Sequence, residues 1–232
     1  MSSNSSSADS SNGKRARGRP PHNELATQAI RGHIKQATAR VFAEHGYHGV
    51  SVELITQACE ISRPTFYRYF KNTEEVLELI LKEANDRLID TVVFAIRQAD
   101  GPLQKVEAGL VAWRAWVEQT GPLLRAIFAE MHDTKSPASA HRERVLKAIG
   151  LELNHMAVNL GRKPFDPLQV ESFVIGVEYL GYRFQFGPQA PSEALWHRTR
   201  QAMLRLALGL LGGPMEWGHA TQLADVLSIN LE

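Results

Sequence analysis

The chain has 232 residues, 44% of them hydrophobic and 22% charged, the balance of a soluble globular protein with one large domain or two modest ones. That excludes wholesale disorder. The single cysteine, Cys59, excludes an intrachain disulfide and fits a reducing cytoplasm. No apolar run approaches the roughly 18 residues that span a bilayer, and the serine-rich N-terminus lacks the apolar region of a secretory signal, so a cytoplasmic protein without a membrane role is expected. The net charge of +1 is unevenly placed. Residues 1–72 carry 10 Lys+Arg against 5 Asp+Glu, and residues 73–232 carry 16 against 20. A basic third on an acidic body suits a head that binds a polyanion, above all nucleic acid; a merely solvated basic surface is the alternative.

In chain order, residues 1–22 read as a disordered arm. A Ser/Asn/Ala/Gly stretch to residue 13 cannot pack, and KRARGRPP follows at 14–21. The first helix is expected over about 24–45, with Ile30, Ile34, Ala37, Val41 and Phe42 on one stripe and Gly46 as its stop. A short second helix, about 52–59, is capped by Ser51, and Leu54, Ile55 and Ala58 form its apolar side. After a tight connection at Glu60-Ile61, Ser62 caps a third short helix, about 63–70, with Pro64 in its first turn. Thr73 is the expected cap of a fourth helix, which carries Leu77, Ile80, Leu81, Ala84, Leu88, Val92 and Ile96 to about residue 97. Further helices are expected at about 103–119, 122–133, 138–160, 167–186, 192–211 and 219–229, separated by Gly/Pro breaks. The chain shows no strand alternation and no internal repeat. The fold class is all-α: a helix-turn-helix head over 23–72 and a larger helical unit over 73–232.

The third helix carries the functional signal. Phe66 and Phe70 share one face, with Ile61 just before it, and can pack into the small domain. Arg63, Thr65, Tyr67, Arg68, Tyr69 and Lys71 occupy the other positions. Cations neutralise phosphates, hydroxyls bond phosphate oxygens, and Thr or Arg can reach base edges in a major groove. Backbone N–H groups at the helix start offer a further phosphate contact. Arg17-Gly18-Arg19-Pro20 is a second signal: two arginines around a glycine can lie in a narrow A·T minor groove. A plain solubilising tail is the other reading of that arm.

The stretch SVELITQACEISRPTFYRYFKNTEEVL, residues 51–77, resembles the TetR family of bacterial transcriptional regulators, and so does the helix from Ile30 ending FAEHGY at Tyr47. Ser51, Ile55, Ile61, Ser62, Thr65, Phe66, Tyr67, Tyr69, Phe70 and Glu75 fit the family's pattern in one register. Thr56 departs from it, as does Cys59-Glu60 in the turn; if Glu60 takes positive φ it carries strain that glycine avoids. The resemblance covers roughly residues 28–80. It implies a homodimer in which effector binding to the helical body changes the separation of two DNA-binding heads. By position it implies that Thr65, Tyr67 and Tyr69 line the DNA face, that Ser51 touches phosphate at the start of the second helix, and that Lys71 and Thr73 do so at the start of the fourth.

In the body, the helices at 168–186 and 194–211 are apolar on more than one stripe and are the expected dimer surface, with an intrachain core as the alternative. Gly176, Gly181 and Gly209 would allow close approach. Candidate effector-pocket residues are Trp113, Trp116, Phe128, Met131, His132, His155, Met156, Phe173, Tyr179 and Tyr182, with a small apolar or aromatic effector expected by analogy. Enzyme motifs are missing: no G-x-S-x-G, phosphate-binding loop, H-E-x-x-H or C-x-x-C occurs. No metal site or cofactor is expected, because His33, His45 and His48 have no nearby carboxylate-rich set and Pro137 separates His132 from His141. Cys59 reads as a small buried hydrophobe. The expected function is a ligand-responsive repressor that binds double-stranded DNA at a pseudo-palindromic operator. An activator or co-ligand-dependent regulator of the same fold, or a helical interaction protein without specific DNA binding, are the alternatives.

Overall fold

A computed structural model describes residues 21–131, 133 and 136–213. The candidate arm residues Arg17 and Arg19, the candidate His132 and the helix expected at 219–229 lie outside the described residues. Among those described there are nine helices and no strand: α1 (Pro21–His45), α2 (Val52–Cys59), α3 (Arg63–Tyr69), α4 (Thr73–Gln98), α5 (Pro102–Thr120), α6 (Leu123–Glu130), α7 (Pro137–Asn159), α8 (Pro167–Phe186) and α9 (Glu193–Leu211). No helix among them is long and apolar enough to cross a membrane.

The caps explain most boundaries. Gly46 ends α1 at φ 69°, where its N–H closes on the Phe42 carbonyl. Ser51 Oγ accepts from the Leu54 N–H to start α2, and Ser62 Oγ accepts from the Thr65 N–H to start α3. The cap of α4 is Asn72 rather than the expected Thr73: Asn72 Oδ1 accepts from the Glu75 N–H, and Thr73 is the first helical residue. Asparagine outranks threonine as a cap, and Glu75 adds a second contact by accepting from the Lys71 N–H. Helix α6 is shorter than expected, ending at Glu130, and α1 begins three residues early.

The head core joins α1, α2, α3 and the start of α4 through Ile34, Ala37, Ile55, Cys59, Phe66, Phe70, Val76 and Ile80. A second cluster, Phe42, Leu77, Leu81, Ala84, Ala126, Ile127 and Ala138, links α1 and α4 to α6 and α7. The body core surrounds Trp113, Phe173, Phe184, Trp196 and Met203 between α4, α5, α7, α8 and α9. Helix α4 thus belongs to both units. At 1.5 Å per residue it is a rod of about 39 Å that seals the head with one end and lines the body with the other.

Candidate functional site

Two sites can be built from these elements, one on the head and one in the body. On the head, Phe66 is fully buried and Phe70 nearly so, which fixes the rotation of α3. Its opposite face then presents Tyr67, 56% exposed, with Arg63, Arg68 and Lys71 also exposed and Thr65 and Tyr69 half-buried. Arg31 of α1 positions the far end of α3: its Nη1 donates to the Tyr69 carbonyl at 2.6 Å, and its guanidinium lies 4.3 Å from the Phe70 ring centroid. Arg63 pairs with Glu53 at 2.9 Å across the turn. Both groups are exposed, so the pair contributes at most about 1 kcal/mol and a phosphate can replace Glu53. The start of α3 is a poorer N–H donor than expected, since Pro64 has no N–H and Ser62 takes that of Thr65. Thr65 Oγ1 also lies 2.8 Å from Ser62 Oγ. Ser51, at the start of α2, is half-buried, and its hydroxyl is engaged as the cap.

The turn holds its shape through Glu60, at φ 54° and ψ 39°, the one non-glycine residue with positive φ among those described. The N–H groups of Glu60 and Ile61 close on the carbonyls of Gln57 and Thr56. Cys59 is buried beside the turn, its thiol directed at the His33 carbonyl at 3.9 Å, and burial pushes that thiol up from its ordinary value. The small-hydrophobe reading of Cys59 fits this environment.

The head meets the body at the loop after α1. The Tyr47 N–H donates to Glu130 Oε1 at 3.3 Å, and His48 Nε2 is 3.7 Å from Asp133 Oδ2. The expectation that His48 lacks neighbouring carboxylates is therefore corrected. His48, Glu130 and Asp133 bring their ligand atoms within 4.8 Å of one another, because Glu130 at the end of α6 and Asp133 just after it come from a part of the chain far removed in sequence. His141 is also paired rather than isolated, with Nε2 3.0 Å from Glu78 Oε1 on α4.

In the body, an apolar cavity of about 60 Å³ lies between α4, α5, α7 and α8. Its walls include Leu88, Val92, Val106, Trp113, Leu153, Phe173 and Val177. A smaller lobe of about 30 Å³ adjoins it, and its lining includes Trp113, Trp116, Phe128, Met131, Asn85, Arg142 and Glu178. Of the pocket candidates, Trp113, Trp116, Phe128, Met131 and Phe173 therefore border one lobe or the other. His155, Tyr179, Met156 and Tyr182 do not. His155 is exposed on α7, and Tyr179 is 59% exposed on the outer face of α8 beside an open groove toward α9. Both sit on helices that line the cavity, but on the side turned away from it, a phase that residue type alone does not reveal. Met156 is half-buried against the body core, and Tyr182 stacks between Phe128 and Phe186. Arg142 and Glu178 carried no sequence signal: they pair at 3.3 Å between α7 and α8, and only the packing of those helices brings them to the cavity.

A capped, three-helix head with a short third helix whose polar face is free defines a helix-turn-helix DNA-binding module on an all-α body. Residues 34–80, from α1 into α4, match the bacterial regulatory proteins of the tetR family. Among its relatives are the transcriptional activator FasR of Mycolicibacterium smegmatis, 27% identical over 51% of this chain and 54% of FasR, and the transcriptional repressor DhaR of a Mycobacterium species, 31% identical over 34% of this chain and 39% of DhaR. The chain thus spans about half or less of the length of these relatives. A tetR-family regulator from Syntrophomonas wolfei shares the fold, with a TM-score of 0.64 at 14% identity over 80% of this chain and 96% of that one. The named relatives are regulators of transcription, not enzymes.

Proposed function

We propose that this protein is a ligand-responsive transcriptional repressor that acts as a homodimer on a pseudo-palindromic operator. The observation that carries the reading is the free polar face of α3. Phe66 and Phe70 lock one side of the helix into the head, and Tyr67, Arg68 and Lys71 are left facing outward. Thr65, Tyr67 and Tyr69 are assigned to base edges and nearby phosphates in a major groove, and Lys71, Thr73 and Ser51 to phosphates. The dimer surface is assigned to α8 and α9. Leu168, Ile175 and Tyr179 form an exposed apolar stripe along α8, and a Cβ at Gly209 on α9 would meet nothing within 4 Å, leaving room for a partner helix. The cavity between α4 and α8 is assigned to the effector. Because α4 also seals the head, a change in cavity shape can move the head.

The test is selection from a random pool of duplex DNA at physiological salt. Enrichment of one pseudo-palindrome with half-sites about one helical turn, roughly 34–36 Å, apart supports the reading. Salt-sensitive binding without enrichment refutes sequence-specific recognition by the unliganded dimer.

A further inference from the structure

Where the head meets the body, three ligating side chains converge. His48 lies on the loop after α1, Glu130 ends α6, and Asp133 follows it. Their ligand atoms are within 4.8 Å of one another. His48 Nε2 stands 3.7 Å from Asp133 Oδ2, beyond hydrogen-bond reach. That gap is close to the roughly 3.0–3.5 Å between neighbouring ligands on one ion, given metal–ligand distances of about 2.0–2.2 Å. Glu130 is steadied from behind, because its Oε1 accepts from the Tyr47 N–H at 3.3 Å. Outer contacts of this kind orient a ligating carboxylate, whose oxygens have lone pairs enough for both. The Tyr47 ring meets the His48 imidazole edge-on, with centroids 5.3 Å apart, and packs it beside the carboxylates. Charge points the same way. The Tyr47 hydroxyl lies in the field of four carboxylates, Glu74, Glu130, Asp133 and Glu78, and such a field favours a cation.

We propose that His48, Glu130 and Asp133 form a binding site for a divalent first-row transition ion of the zinc class, and that the bound ion clasps the head to the body. The site stands apart from the DNA-binding reading and does not depend on it. An imidazole nitrogen selects zinc, nickel and their neighbours over magnesium and calcium, which take oxygen ligands. The two carboxylates balance the charge of the ion. The His48 side chain is 74% exposed and that of Asp133 37%, so both can turn inward to close the remaining gap, and water completes the coordination. This is an open, exchangeable site rather than a closed structural one. Its place in the fold gives it a consequence. The loop that carries His48 leads into the Ser51 cap of α2. Helix α6, which ends at Glu130, packs Ala126 and Ile127 into the cluster that holds Phe42 of α1 and Leu77 and Leu81 of α4. An ion shared across that junction resists movement of the head away from α6 and ties metal occupancy to the placement of α3.

The experiment uses the full chain, stripped of metal with a chelator and dialysed. Zn²⁺ is titrated in competition with a chromophoric chelator, with Mg²⁺ and Ca²⁺ as parallel probes. Saturable binding of Zn²⁺ is expected, with Mg²⁺ and Ca²⁺ at least about tenfold weaker. His48→Gln and Asp133→Asn each remove a ligand and are expected to weaken Zn²⁺ at least about tenfold, the lower bound for disturbing even an outer contact. His45→Gln, whose imidazole faces Glu44 instead, is expected to leave binding unchanged. His48 and His45 are exposed, so these two variants are expected to fold as the native chain does. Mn²⁺ supplies a second readout through its unpaired electrons: at a small fraction of one equivalent it is expected to broaden the His48 ring signals in NMR spectra before those of His33 or His155. The clasp is read by amide hydrogen exchange, which saturating Zn²⁺ is expected to slow over residues 46–50. Equal Zn²⁺ affinity of the native chain and His48→Gln, Mg²⁺ binding as tight as Zn²⁺, or no saturable Zn²⁺ binding overturns the site. Zn²⁺ binding that leaves exchange over residues 46–50 unchanged overturns the clasp.

Discussion

Glu60 occupies a backbone conformation that glycine adopts without cost, at φ 54° in the turn between α2 and α3. A left-handed residue with a Cβ costs roughly 1–2 kcal/mol, and glycine returns part of that gain through its greater unfolded-state entropy. Glu60→Gly is therefore expected to raise head stability by up to about 1 kcal/mol, visible in chemical denaturation, without changing the sequence selected. Lys71 is exposed at the junction of α3 and α4, and its backbone N–H is already taken by Glu75, so the ammonium is the group available to DNA. Lys71→Ala is expected to weaken binding to all sequences alike and to lower the salt slope by about one. An unchanged slope removes Lys71 from the phosphate contacts. Substitutions at Tyr67 should instead change which sequence is preferred, as a repeat of the selection with the variant would show.

Helix α3 has seven residues and cannot hold itself together in water, so its packing decides whether a recognition surface exists. Phe66 is its fully buried anchor. Phe66→Ala is expected to cost about 3–5 kcal/mol and to abolish DNA binding while the body keeps its helical circular dichroism. In the body, a Cβ at Gly181 of α8 would overlap the Trp113 ring of α5. Gly181→Ala should displace Trp113, change its fluorescence and lower the melting temperature. Across α4 and α7, hydrogen bonds from Lys82 and then Arg144 hold the Asp86 carboxyl below its ordinary value. A depressed carboxylate stabilises the fold above its unfolded pKa, and the contribution is lost as pH falls through the folded value. Asp86→Asn should therefore be less stable than the native chain at neutral pH, with the difference closing toward strongly acid pH in a series of melts.

At the scale of the whole molecule, the exposed stripe of Leu168, Ile175 and Tyr179 is the surface that a homodimer would cover. Ile175→Asp is expected to shift the chain to monomers in analytical ultracentrifugation and to weaken binding to a two-half-site operator far more than to one half-site. A dimeric Ile175→Asp variant would move the interface elsewhere. If cavity and heads are coupled, a saturating effector should change operator affinity by roughly 5–150-fold, the range of common allosteric couplings of 1–3 kcal/mol.

The sequence by itself determined what local chemistry controls. Ser51 and Ser62 cap their helices, Gly46 stops α1 and Pro64 sits in the first turn of α3, because a cap or a missing N–H acts within one turn whatever lies beyond it. The same holds for the inward face of α3, since Phe66 and Phe70 are four residues apart and share one side of any helix. Thr73 was a near miss of this kind, decided by the stronger oxygen acceptor one residue earlier, at Asn72. Only the tertiary structure decided which side of a body helix faces the cavity. His155 and Tyr179 turn outward from helices that are apolar on several sides, and their amino-acid types do not record that rotation. It also decided the long-range pairs: Arg31 with the Tyr69 carbonyl, Glu130 with the loop after α1, and Arg142 with Glu178. These depend on charges brought together by helix packing across tens of residues, and no spacing in the chain encodes such a meeting.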